Sequence, residues 1–238
     1  MLRVGTTEGR FRMIMPDLML AFEAAWSGNS DKEYPKEKPI RGYMEDAVVL
    51  RRMLSSWGLD LAFSGLTPQM PPDIESRLLL DEQMFFVISD HLLRKYQPDY
   101  LQGNRPADLR DFSAVPVCRS LPGLHCMQVL DAVLDSLQTS LNCVHVSGPF
   151  DLHLELAARD YAACFCLGMY LPYLRTINEK TENKLYAFRI KNLTATNPVF
   201  LLRRKDRKPD PAEELFVRLL EEKCREISVL QDSIDGKD

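Results

Sequence analysis

The sequence predicts an α/β protein made of two α/β units in tandem, and three observations carry that expectation. Along the 238 residues, apolar positions switch repeatedly between short unbroken runs and a helical spacing of three and four. The run WGLDLAFSG at 57–65 is apolar on both faces and flanked by helix, the mark of a central strand in a parallel sheet. The polar stretch from Asp90 to Arg110, with Pro98, Gly103 and Pro106, reads as a crossing or linker, and after it the strand–helix rhythm restarts at AVPVC, 114–118.

In order, Leu2 to Thr6 reads as a strand that enters a helix through TTEG. From Phe11 the apolar residues fall at positions 11, 14, 15, 18, 22, 25 and 26, one buried face of that helix. SGNSDKEYPKEKP, 27–39, is rich in charge and turn formers and predicts an exposed loop. Ile40 to Tyr43 predicts a second strand. MEDAVVLRRMLSSWG, 44–58, predicts a helix opened by Glu45 and Asp46 and closed by Gly58. The central strand follows, then the Pro-rich turn LTPQMPPD, then LLLDEQ and MFFVIS as a strand pair or one bent strand. In the second unit AVPVC predicts a strand, LHCMQVLDAVLDSLQ a helix and NCVHV a strand. FDLHLELAAR predicts a shorter helix, and YAACFCL a strand ending at Gly168. LYAFRI and PVFLLR predict two late strands, and DPAEELFVRLLEEKCREI a terminal helix with a cap-like start at Asp210, Pro211 and Glu213.

Composition bounds the function. With 45 % hydrophobic and 27 % charged residues the chain can build a core of its own. A net charge of −4 gives no general attraction to nucleic acid, so the chain is not expected to grip DNA itself. No apolar stretch reaches the roughly 18 residues that cross a bilayer, and MLRVGTTEGRFRM carries charges where a signal peptide is apolar. A cytoplasmic protein without membrane contact is expected. The six cysteines (Cys118, Cys126, Cys143, Cys164, Cys166 and Cys224) form no CxxC pair and sit mostly in apolar runs. They read as buried thiols, with a redox role for Cys164 and Cys166 as the distant alternative, and neither a metal nor a cofactor is expected. The histidines, His91, His125, His145 and His153, show no ligand-like grouping and read as structural. RRKDRK at 203–208 joins a strand to a helix and reads as a solvated loop rather than a nucleic-acid patch. With no GxSxG elbow, no P-loop and no GxGxxG after a strand, an enzyme is not expected.

LRVGTTEGRFRMIMPDLMLAFEAAW, 2–26, resembles the start of the effector-binding domain of LysR-type transcriptional regulators, with Met15-Pro16 in place of a Leu-Pro pair. WGLDLAFSGL resembles the family's G-x-L-D-L-A strand, DIESRLLLDEQMFFVIS its paired strands, and ADLRDFSAVPV its entry to the second lobe. PVFLLRRKDR and the terminal helix complete five motifs in order over about residues 1–230. Two places depart from the family: the 27–39 loop is longer, and RDYAACFCLGMYLP at 159–172 is bulkier where glycines are usual. The resemblance implies two Rossmann-like lobes joined by two crossings, as in type 2 periplasmic-binding-protein-like folds. Lobe one is then 1–88 with 194–238, lobe two 89–193, and a small-molecule effector binds between them. It further implies the sensor half of a regulator that binds DNA only through a missing N-terminal winged helix-turn-helix. Effector binding would change lobe closure and so control transcription. A side-by-side homodimer is implied, a tetramer in the full-length protein, with the helices Phe11 to Trp26 and Leu124 to Leu137 in contact through Met13, Met19, Val129 and Leu134. The alternative is a stand-alone solute-binding protein of the same fold.

Ligands of open α/β sheets bind outside the carboxyl ends of strands, where small residues let them reach the backbone and helix starts offer N–H groups. On the first lobe this selects Thr6, Thr7, Glu8, Gly9 and Arg10, with Ser64 and Gly65 at the end of the central strand. Across the expected cleft it selects Arg119 and Ser120, and Ser147 to Phe150 with Pro149 near the first helical position. Such positions favour an anionic effector, with Arg119 as its charge partner. The alternative is that Thr7 is a plain helix cap and that Glu8 and Arg10 are solvent-facing charges.

Overall fold

The protein is described by a computed structural model over residues 1–28, 40–65, 70–102 and 105–234. The expected loop lies, from residue 29 to 39, outside the described residues, as do 66–69 of the Pro-rich turn. The first half runs β1 (Leu2–Thr6), α1 (Glu8–Met13), α2 (Met15–Gly28), β2 (Ile40–Met44), α3 (Ala47–Ser55), β3 (Leu61–Gly65), β4 (Ile74–Glu82), β5 (Met84–Ser89) and α4 (Asp90–Tyr96). The second runs β6 (Pro116–Arg119), α5 (His125–Ser136), β7 (Asn142–Val146), α6 (Phe150–Ala158), β8 (Cys164–Leu167), α7 (Leu171–Lys180), β9 (Leu185–Arg189), β10 (Asn197–Arg204) and α8 (Pro211–Ser233).

Two compact units result, Met1–Asp81 with Pro198–Glu226 and Glu82–Asn197 with Ile227–Asp238. The division differs from the boundary near residue 88, because β5 is the centre of the second unit's sheet, between β8 and β9. The last turns of α8 also fall in the second unit, so the chain passes between the units three times.

In the first unit the sheet order is β2-β1-β3-β10-β4, with β1 parallel to β2 and β3, and β10 antiparallel to β3. Leu50 and Leu54 of α3 pack with Leu59, Ala62, Ile74 and Leu202 in its core. That approach is close: a Cβ on Gly5 of β1 would stand 2.5 Å from Leu50 Cδ2 and Leu59 Cδ1. Asp46 is the N-cap of α3, its carboxylate accepting from the N–H groups of Val48 and Val49 at 2.8 and 2.9 Å. Asp46→Ala is expected to destabilise the chain by about 1 kcal/mol in urea titration.

The end of α3 corrects one expectation. Gly58 is not the left-handed closing residue; Trp57 is, at φ 61°. Trp57 N–H donates to Leu54 O at 3.1 Å and Gly58 N–H to Met53 O at 2.7 Å, the paired bonds of a Schellman motif. A left-handed tryptophan costs about 1–2 kcal/mol. Tertiary contacts offset that strain, since the Arg204 guanidinium lies 4.2 Å from the Trp57 ring centroid and Arg3 Nη1 donates to Trp57 O at 2.6 Å.

RRKDRK is solvated only in part: Lys205, Asp206 and Lys208 are exposed, whereas its three arginines are held. Arg203 pairs with Glu75, Arg204 with Asp73 and Asp206, and Arg207 with Asp60 and Glu213, both at 2.8 Å. These arginines tie the sheet to the start of α8.

In the second unit β5 pairs antiparallel with β8 and β9, and β6 pairs parallel with β7. An isolated bridge from Val117 to Ala163 joins the two sets. The stretch read as a linker holds regular structure in its described residues: Ser89 Oγ accepts from Leu92 N–H at the start of α4, Asp90 and Arg94 pair one turn apart, and a 3₁₀ turn follows at Pro98–Leu101. The helix α7, opened by Pro172, has no counterpart in the sequence reading. Five cysteines are buried and Cys143 is exposed, against the expectation for that residue, because β7 presents residues 142–144 to solvent. Burial pushes the Cys118 thiol up to about 11 and Cys164 and Cys166 well above the ordinary value, which leaves the strand pair unreactive at neutral pH.

Candidate functional site

On the first unit, β1 and β3 are parallel neighbours with Thr6 opposite Phe63, so Thr6, Ser64 and Gly65 come together at one end of the sheet. Parallel pairing puts both carboxyl ends on the same side. Thr6 is wholly buried, and its hydroxyl donates to Phe63 O at 2.6 Å. Ser64 is also wholly buried, its hydroxyl donating to Gly65 O at 3.1 Å. Thr7 is the N-cap of α1 but makes no side-chain capping bond; its Oγ1 accepts instead from Arg10 Nη1 at 3.1 Å. The first-turn N–H groups, among them that of Gly9, are therefore not closed off by Thr7. Arg10 is 6 % exposed rather than solvent-facing, and places a cation at this helix start. Glu8 does face solvent and lies 3.7 Å from Arg12.

On the second unit, Arg119 ends β6 and Ser120 follows it, and Ser147 follows the parallel neighbour β7. Ser147 N–H donates to Arg119 O at 3.2 Å, and Ser120 Oγ donates to Gly148 O at 3.0 Å, so these strand ends are joined. Phe150 opens α6 and is buried; Pro149 holds the N-cap position, one residue earlier than expected, and makes no capping bond. The Arg119 guanidinium is held by Asp131 of α5. Its charge is thus already engaged by a carboxylate of the same unit.

The structure therefore gathers the selected residues into two groups, one on each unit. One further side chain belongs with the second group: His153 of α6, whose ring touches Ser147. No spacing rule marks it, because a single histidine three residues after a helix start has no pattern of its own. Among the described residues, no group of three or more His, Cys, Asp or Glu is placed to hold a metal ion, and no helix is long and apolar enough to cross a membrane.

The family model of the LysR substrate binding domain matches residues 40–225. The chain belongs to this family. Solved structures agree in fold. HinK, a LysR family transcriptional regulator from Pseudomonas aeruginosa, superposes with a TM-score of 0.67 at 18 % identity over 94 % of this chain and 69 % of its own. The effector binding domain of QuiR in complex with shikimate gives 0.62 at 15 % identity, covering 94 % and 97 % of the two chains. The BenM effector binding domain with benzoate gives 0.62 at 14 %, covering 97 % and 93 %. Comparison with the curated proteins gives no match. The LysR substrate-binding fold has two periplasmic-binding-protein-like lobes, as the sequence motifs imply.

Proposed function

We propose that this LysR substrate-binding domain is the ligand-sensing part of a cytoplasmic transcriptional regulator, taking a small anionic effector between its lobes at the two groups of strand ends. The observation that carries this reading is the placement beside strand carboxyl ends, on both units, of helix starts whose N-cap side chains make no capping bond, at Thr7 and at Pro149. First-turn N–H groups of a helix suit a carboxylate. The buried Arg10 supports the same sign of charge. Relatives of this fold that carry shikimate and benzoate, both small carboxylates, support the ligand class. Effector binding would shift lobe closure and so the DNA-binding domains outside this chain.

Calorimetry with a panel of small carboxylic acids, shikimate and benzoate among them, tests the reading. A ligand that binds is expected to lose about tenfold in affinity on Thr7→Ala, the loss of one charge-assisted hydrogen bond. Gly65→Val is expected to block binding without unfolding the chain, since a Cβ there meets nothing nearer than Pro198 O at 3.9 Å. A ligand indifferent to both variants would place the site elsewhere.

Pairing into a homodimer belongs to the same proposal. Met19 and Leu20 of α2, Met44 of β2, and Val144 and Val146 of β7 leave apolar side chains on the surface of the chain. Leu134 does not join them: it is 6 % exposed and part of the core under α5. Met13 and Val129 are half-buried.

A further inference from the structure

His153 is wholly buried one turn into α6, with Nε2 2.9 Å from Ser147 Oγ. Its other ring nitrogen, Nδ1, is buried and has no hydrogen-bond partner among the described residues. The His145 ring stands at 89° to it with centroids 6.2 Å apart, and Phe150 lies at the same distance on another side. Burial, with His145 beside it, pushes the His153 pKa down to about 4, so the ring is neutral at neutral pH.

A neutral imidazole carries one N–H, and two placements are open to it. With the proton on Nδ1, a buried donor faces no acceptor, the rarer and costlier kind of orphan. With the proton on Nε2, the N–H donates to Ser147 Oγ and only an unfilled lone pair remains on Nδ1. Ser147's own proton is then turned away from the histidine. Ser147 is half-buried at the end of β7, and its hydroxyl makes no other hydrogen bond among the described residues. We infer that His153 is a positioning residue of the ligand site, holding the Ser147 hydroxyl as an outward donor toward a carboxylate or carbonyl oxygen and against an ammonium group. The inference rests on the strand ends being the effector site, and it adds the residue that selects the ligand's chemistry there.

Nitrogen NMR of the ligand-free chain, labelled with ¹⁵N at histidine, reads the proton directly. Between pH 6 and 8 the His153 Nδ1 resonance is expected in the range of an unprotonated ring nitrogen and Nε2 in that of a protonated one, assigned by their disappearance in His153→Gln. The reverse pattern overturns the inference, and leaves the effector reading intact if a carboxylic acid still binds at the strand ends. The ligand half is read from the Ser147 amide shift with two probes of similar size, benzoate and benzylamine. Benzoate is expected to move it and benzylamine not. His153→Gln, whose side-chain N–H can stand where Nε2–H does, should keep benzoate affinity within twofold, whereas His153→Leu should weaken it about tenfold. Equal affinities in the two variants, or a response to benzylamine alone, overturn the positioning role. Silence to both probes overturns the ligand class, whichever tautomer is found.

Discussion

Asp60→Ala is expected to destabilise the protein by about 3–5 kcal/mol, the usual cost of removing one partner from a buried charge network. Asp60 is 2 % exposed. It accepts from Arg3 N–H and Nη2, each at 2.7 Å, and from Arg3 Nε at 3.2 Å, while Arg207 Nη1 lies 2.8 Å away. Arg207 also donates to Glu213, 1 % exposed in the first turn of α8. Truncating Asp60 therefore leaves two guanidinium groups short of a partner and loosens the contact between β1 and the start of α8. Burial pushes the Asp60 carboxyl up, but the hydrogen bonds from Arg3 and the charges of Arg207 and Arg3 outweigh it and hold it below the usual range. A carboxyl lowered on folding contributes stability that is complete above its unfolded value of about 3.9 and lost as the pH falls through the folded value. The gap between wild type and Asp60→Ala in urea titration should thus be full at pH 7 and shrink as the pH falls below about 4. A gap independent of pH would mean that packing, not charge, sets the loss.

Phe86→Ala is expected to cost about 3–5 kcal/mol in the second unit, from lost transfer energy and the cavity left behind. Phe86 is wholly buried on β5, with ring centroids 4.7 Å from Phe112 and 5.5 Å from Phe165 on β8. Offset and tilted aromatic contacts of this kind add to the area term. Phe86→Leu fills most of the space and should cost less than half as much. Denaturant titration of the two variants checks the ratio; equal losses would point to the aromatic contacts rather than the cavity.

Much of the architecture was legible because it is written in local period. The unbroken apolar run LAFSG becomes β3, buried at Leu61 to Ser64, and the spacing of three and four over LHCMQVLDAVLDSLQ becomes α5. Helix α4 is hard to see in the sequence because the prolines and polar residues around it outweigh a serine cap and an i,i+4 ion pair, signals of one turn each. Helix α7 carries one local signal, Pro172 in its first turn, a common opening. The strand-end candidates were legible from small polar residues after strands, but not what their side chains do. Thr6 and Ser64 spend their hydroxyls on backbone carbonyls, and Arg119 faces Asp131, a residue of another element.

Periodicity, capping and turn chemistry are properties of neighbouring residues, so the alternation of strand and helix, the central place of β3 and the positions of strand ends follow from residue order alone, whereas the antiparallel neighbour of β3, β10, does not. Which surfaces meet is a property of the folded chain. That is why the membership of β5 in the second unit, the pairing of Arg207 with Asp60, the left-handed Trp57 supported by Arg204, and the contact between His153 and Ser147 required three dimensions. Each depends on burial and on a partner that local sequence does not choose, and burial is what turns a weak surface charge or hydroxyl into a strongly directed one.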